Sequence, residues 1–307
     1  MPYNRKDFSR REFLSRGICF TAGAVATATL TSCKLSETEP ASKSIARTRF
    51  GLTTYQWGKD WDIPTLIANC REAQVFGVEL RTSQSYAHGV ELELSAQQRG
   101  EVKKSFENSP VILVGLATSE RYDSPDAERL EAAIENSKAY IKLSHDTGSS
   151  GVRVFPNSFH DGVPREKTIE QISNSLNILG AFAADYGQQV RLEAHGNAGE
   201  LPTIRAIMDR VDQPSVRVKL NSDKRDNAGQ GFEHNFNLVK DLLGDTLHLH
   251  NLKDTGFPYQ LQMDLLVKMG WIGWQMLEVS HKVPDRIQAL IEQCQIWDGL
   301  LANSLNV

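Results

Sequence analysis

The sequence predicts an α/β protein built as a (β/α)8 TIM barrel, and three observations carry that expectation. Eight short, strand-like apolar runs alternate with helix-period segments from residue 50 to the end. The chain that follows an N-terminal leader of 32 residues is close to the length of about 250 residues typical of such barrels. No Gly-rich nucleotide loop follows the first run: Gln56-Trp57-Gly58 stands there instead, which disfavours a doubly wound open sheet. Gly229-Gln230-Gly231 is a lone Gly-x-Gly and reads as a turn.

The strand runs fall at 50–55, 77–80, 111–117, 151–155, 190–193, 216–220, 247–251 and 274–279. Between the first two, Asp62-Ile63-Pro64 opens a helix, with Leu66, Ile67, Cys70 and Ala73 on one stripe. Ser124-Pro125-Asp126 opens another that runs to His145. Pro164-Arg165-Glu166 opens a third, in which Ile169, Ile172, Leu176, Leu179 and Ala183 recur at steps of three and four. Gly187 is the expected left-handed residue just past its end.

The first 33 residues read as an address. Ser9-Arg10-Arg11-Glu12-Phe13-Leu14 is a twin-arginine pattern, a weakly apolar stretch follows, and Leu30-Thr31-Ser32-Cys33 resembles a bacterial lipobox. The expectation is export by the twin-arginine route, lipidation at Cys33, and a periplasmic or membrane-anchored lipoprotein that meets the membrane only through its lipid. Residues 34–48 are polar and read as a tether, leaving 49–307 for the barrel. No run of about 18 apolar residues exists to span a bilayer. The leader holds five Lys and Arg against two Asp and Glu, so its removal takes the net charge from −4 to −7. Such an acidic chain has no basic footprint for nucleic acid. Four Cys in 307 residues are no disulfide scaffold. Cys70 and Cys294, the two left in the folded part, read as separate buried thiols.

In a barrel of this kind the C-terminal ends of the strands form the active face. The fifth run continues Arg191-Leu192-Glu193-Ala194-His195, the sixth Lys219-Leu220-Asn221, the seventh is His248-Leu249-His250-Asn251, and the eighth ends Leu277-Glu278-Val279. With a period of two, Arg191, Glu193 and His195 share a face, as do Lys219 with Asn221 and His248 with His250. Four consecutive strands therefore offer Glu, Asn, His and Glu toward one mouth. Two carboxylates, an imidazole and an amide oxygen suit a divalent ion such as Mn²⁺, Mg²⁺, Co²⁺ or Zn²⁺. Each residue taken singly has a plain structural reading, as a salt-bridge partner, a rim hydrogen bond or a turn cap.

Arg-Leu-Glu-Ala-His-Gly, the His-rich seventh strand and Met-Leu-Glu-Val resemble the xylose-isomerase-like barrel superfamily of sugar isomerases and epimerases, which includes ketose 3-epimerases and inosose dehydratases. The resemblance spans residue 50 to the C-terminus and is nearest to exported bacterial members. It implies a divalent metal held by Glu193, Asn221, His250 and Glu278. Asn221 stands where the better-known epimerases have Asp, and Lys224 where they have a substrate-contacting His. Aligning on Lys253-Asp254 would put Asn251 rather than His250 at the ligand position. The Asn removes one negative charge from the ion's shell, while Lys219 and Lys224 add positive charge near the mouth, where a Lys could replace the ion as electrophile.

The implied reaction moves the weakly acidic proton next to a sugar carbonyl through an enediolate, on an unphosphorylated or keto sugar. Glu193 and Glu278 are the expected proton-transfer pair. Arg81, His88, His195 and His248, with the two lysines, are the expected substrate contacts. His145, His160, His234 and His281 read as surface or packing residues. The same carboxylate pair would serve a keto-sugar lyase or dehydratase, and a barrel that had lost its metal would leave a non-catalytic sugar-binding lipoprotein. A glycoside hydrolase would place acids at strands four and seven, which end here in Phe155-Pro156-Asn157 and His250-Asn251. A DNA-repair endonuclease would need more His and acid ligands and a basic groove.

Overall fold

The computed structural model describes residues 48–306; the expected twin-arginine leader, the lipidated Cys33 and nearly all of the tether lie outside them. The described chain alternates β1 (Arg49–Thr53), α1 (Ile63–Glu72), β2 (Gly77–Arg81), α2 (Ala96–Glu107), β3 (Ile112–Arg121), α3 (Ala127–Thr147), β4 (Gly151–Phe155) and α4 (Arg165–Asp185). It continues β5 (Gln189–Glu193), α5 (Leu201–Met208), β6 (Val216–Lys219), α6 (Phe232–Val239), β7 (Thr246–Leu249), α7 (Tyr259–Lys268), β8 (Trp274–Leu277) and α8 (Arg286–Leu305). All paired strands are parallel, in the order β6-β5-β4-β3-β2-β1-β8-β7. The two ends of that order nearly meet. Val218 bridges Leu243, Gly244 N–H donates to Val218 O (2.9 Å) and His248 N–H to Leu220 O (2.8 Å). The expected (β/α)8 barrel is the fold.

Helix ends follow the local chemistry. Asp62 accepts the Thr65 N–H at 2.9 Å to start α1, and Asp126 accepts those of Glu128 and Arg129 to start α3. Gly187, just past α4, has φ +62°. The later strands are shorter than expected: β7 stops at Leu249 and β8 at Leu277. Past Leu249 the chain turns, with Asp254 N–H donating to Asn251 O at 2.9 Å.

Strand residues alternate between two environments. Leu52, Val78, Val152, Val190, Val218 and Leu247 are buried and belong to one apolar cluster with helix residues such as Leu66, Ile141, Leu176 and Ile204. The other parity fills the barrel. Val114, Trp274 and Met276 form a small separate apolar cluster, and much of the remaining interior is charged: Glu79, Arg153, Arg191, Glu193, Lys219 and His248 are all buried. Buried charge is tolerated only when paired or hydrogen-bonded, and Arg191 is satisfied by Ser150 Oγ (2.7 Å), Gln189 Oε1 (3.2 Å) and Val114 O (3.3 Å). Room for that guanidinium comes from Gly115, where a Cβ would lie 2.6 Å from Arg191 Nη1.

Candidate active site

Inside the barrel, below its C-terminal mouth, Glu79 of β2 is fully buried and is the hub of three hydrogen bonds. Its Oε1 accepts from Lys219 Nζ (2.7 Å), and its Oε2 accepts from His248 Nε2 (2.7 Å) and Thr53 Oγ1 (2.9 Å). Lys219 also donates to Thr246 Oγ1 at 3.0 Å. Burial pushes the Glu79 carboxyl up, but Lys219 and His248 more than reverse this and hold it well below the usual carboxylate range.

Because Nε2 of His248 is committed to Glu79, Nδ1 faces the mouth. It lies 3.2 Å from Glu193 Oε2 and 3.5 Å from Glu278 Oε2. Glu193, His248 and Glu278 bring one ligand atom each within 4.8 Å of one another. Glu193 Oε2 is also 3.3 Å from Arg153 Nε on β4. Burial raises the Glu193 carboxyl, and Arg153 with His248 overcomes this, so Glu193 stays ionised well below its ordinary value. Burial and Lys219 lower the His248 imidazole, and the surrounding carboxylates Glu193, Glu278 and Glu79 leave it raised overall.

Of the buried acceptors here, Glu193 Oε1 and Asn221 Oδ1 have no partner, while Glu193 Oε2 and His248 Nδ1 meet each other at 3.2 Å and Glu193 Oε2 meets Arg153 Nε at 3.3 Å without a full hydrogen bond. Buried polar groups are rarely left unpaired. Two carboxylates, an imidazole nitrogen and an amide oxygen form a donor set that fits a divalent cation. The carboxylate behind His248 is the arrangement that fixes a metal-binding imidazole with its free lone pair forward.

A cavity of about 270 Å³ opens above these groups, with Glu193, Asn221 and Glu278 in its wall together with Tyr55, Arg81, Arg153, Phe155, His195 and His250. Arg81 Nη1 is 3.7 Å from Glu278 Oε1, and its guanidinium lies over the Tyr55 ring at 4.3 Å. His195 packs against Phe155 with centroids 4.7 Å apart, and burial lowers its imidazole.

Glu193, Asn221, Glu278, Arg81, His195 and His250 line one cavity, and the enclosed His248 lies beneath it against both acids. The other expected residues, and His250 itself, are engaged otherwise. His250, expected as a ligand, lies past the end of β7, where its Nδ1–H donates to the Glu278 carbonyl at 3.0 Å; His248, still within the strand, is the imidazole that faces the acids. Lys219, expected at the mouth, is one inward-facing position deeper than Asn221 and wholly enclosed in its ion pair with Glu79. It does not line the cavity that holds Glu193 and Glu278. Lys224 lies on a 3-10 turn, Lys224–Asn227, with its side chain 65% exposed and paired to Asp254 Oδ2 at 3.0 Å. His88 is occupied on both ring nitrogens: Nδ1 accepts from Val90 N–H and Nε2–H donates to Arg81 O, both at 3.0 Å. Burial lowers it to about 4, so it is a neutral structural imidazole that supports the Arg81 backbone. Glu79 and Arg153 were not among the expected site residues, although their inward parity on β2 and β4 marks them.

Fold and site together place carboxylates, an imidazole and an amide on the last four strands of a (β/α)8 barrel, at their C-terminal ends. The chain belongs to the xylose isomerase-like TIM barrel family, whose pattern matches residues 67–298. Solved structures with the same fold include a 3-keto-D-glucoside 4-epimerase from E. coli, at 14% identity and TM-score 0.69, covering 82% of this chain and 99% of the other. An L-ribulose 3-epimerase matches at 13% identity and TM-score 0.71, covering 84% and 95%. A D-psicose 3-epimerase from Clostridium cellulolyticum H10, solved with D-tagatose, matches at 16% identity and TM-score 0.68, covering 84% and 99%. At these identities the likeness is one of fold. No curated protein sequence matches the chain.

Proposed function

We propose that this protein is a sugar isomerase or epimerase that moves a proton on the carbon next to a carbonyl of an unphosphorylated or keto sugar. The observation that carries this reading is the convergence of Glu193, His248 and Glu278, with buried, unpartnered oxygens on Glu193 and Asn221, at the active face of a family barrel. Those four residues would hold a divalent ion (Mn²⁺, Mg²⁺, Co²⁺ or Zn²⁺). Such an ion supplies an electrophile that polarises the carbonyl and stabilises enediolate charge.

The chain's own residues do the rest. Glu193, held ionised beside Arg153, and Glu278 are the two carboxylates of the transfer pair. Return of the proton to the opposite face of the same carbon gives an epimer, and return to the neighbouring carbon gives an isomer. Arg81 and His195 line the same cavity and are placed to bind sugar hydroxyls. Lys219, enclosed with Glu79, does not reach the substrate and is not the electrophile. The protein is also proposed to be exported and anchored at Cys33, which membrane fractionation and the mass of the Cys33 peptide would test.

The deciding experiment measures bound divalent metal in the purified protein and assays keto sugars with the wild type, Glu193→Gln and Glu278→Gln. Each substitution is expected to lower turnover by about 10²–10⁴-fold. Full activity in both variants would remove the proton-transfer pair. Release of a β-substituent in place of an epimer or isomer would move the reaction to the lyase class, with the same residues in the same places.

A further inference from the structure

A second and larger cavity, about 560 Å³, adjoins the first. Asp223, His250, Glu278 and Ser280 line both, so a molecule seated against Glu278 can continue from one into the other. The deep cavity falls just under, and the outer one well inside, the range of about 300–1,000 Å³ of sites for drug-sized ligands. The loops after β6, β7 and β8 build the outer cavity.

Its chemistry selects its occupant. Phe257 and Tyr259, with ring centroids 4.9 Å apart, give it an aromatic side. Its charged side chains are already matched: Lys224 pairs with Asp254 at 3.0 Å, and Asp223 with Arg225 at 2.9 Å. Asp223, Asp254 and Glu278 outnumber Lys224 among its charged lining residues, so the wall is net negative and repels a phosphate or carboxylate. A neutral, hydroxyl-bearing group with one apolar face would find aromatic surface together with Ser280, Asn251 and the imidazoles of His250 and His281. His250 lies between the two spaces, and because its Nδ1–H is used on the Glu278 carbonyl, Nε2 remains to accept a hydrogen bond.

We propose that the substrate is a neutral glycoside, with its keto-sugar ring in the deep cavity and its second residue, a further sugar or a neutral aglycone, in the outer one. The proposal rests on the isomerase or epimerase reading of the deep site. Binding energy from the remote residue is then available to orient the reacting ring.

The test uses the full chain and compares 3-keto-D-glucose with the 3-keto derivatives of trehalose, maltose and cellobiose, by turnover and by titration calorimetry. The expected result is a kcat/KM about tenfold or more higher for at least one disaccharide than for the monosaccharide. Asp254→Ala and His281→Ala, both exposed in the outer wall, should shrink that ratio. If 3-keto-D-glucose is turned over as well as every disaccharide, or the ratio is unmoved by both variants, the glycoside proposal is overturned while the reading of the deep site stands. If no keto sugar of either length binds or reacts, both are overturned together.

Discussion

Glu79 holds His248 by its Nε2–H at 2.7 Å while holding Lys219 with its other oxygen at the same distance. One carboxylate thus balances a buried ammonium and aims a buried imidazole at Glu193 and Glu278. Replacing only Glu79 strands Lys219 in the barrel, and breaking a buried pair by removing one partner costs about 3–5 kcal/mol. Glu79→Gln is therefore expected to lower the urea unfolding free energy by that order. Glu79→Gln with Lys219→Met should cost less than the sum of the two single changes, and a double-mutant cycle measures the difference.

Gly115 makes room for a second enclosed cation, Arg191. Gly115→Ala would set a methyl 2.6 Å from Arg191 Nη1, a group tied into the barrel by three acceptors. Overpacking of this kind costs about 1–3 kcal/mol. Chemical denaturation of the variant should show that loss, and adding Arg191→Met should recover part of it.

Asp226 gives stability a pH dependence. It is buried, its Oδ2 accepts the Asp223 N–H at 3.2 Å and its Oδ1 has no partner. Burial pushes this carboxyl up to about 7 from an ordinary 3.8. The folded state therefore keeps its proton where the unfolded chain has lost it, and stability falls as the pH rises from the unfolded value through 7. Asp226→Asn removes that dependence. Relative to the wild type, it should be more stable at pH 8 than at pH 4 by on the order of 1–3 kcal/mol, as read from urea unfolding at the two pH values.

Glu193, Asn221 and Glu278 were legible in the sequence because a strand-end residue of known parity in a barrel can only face the mouth. Parity could not choose between His248 and His250, which share a face. The choice depends on β7 ending at Leu249, and that end is set by a turn rather than by side-chain pattern. The same limit applied to Lys219: the period of two put it on the correct face but did not give its depth. Glu79 was hidden for a different reason. In Gly-Val-Glu-Leu-Arg it reads as a local partner of Arg81, whereas its true partners lie 140 and 169 residues further on, a separation that only barrel closure brings together. His88 misled because nothing local shows that both its nitrogens are taken by backbone.

The charge of the site makes the strongest prediction about its ion. Asn221 has a buried, unpartnered Oδ1 beside the two acids, and Arg153 sets a positive guanidinium 3.3 Å from Glu193 Oε2. Both features make the site less negative than four acidic or neutral ligands would. Affinity for a hard cation rises with the number of anionic ligands, and a nearby cation opposes it through direct repulsion. Asn221→Asp and Arg153→Met each change the site by one negative unit, so each should tighten Mn²⁺ binding by about tenfold, one factor of ten being about 1.4 kcal/mol. Equilibrium dialysis or the spin-resonance signal of free Mn²⁺ measures this without any assay of turnover. If Asn221→Asp leaves Mn²⁺ binding unchanged while Glu193→Gln weakens it, residue 221 is not among the ligands and the ion rests on Glu193, His248 and Glu278 alone. If neither substitution has any effect, the unpartnered acceptors serve the sugar directly, and the electrophile must come from Arg153 or Arg81.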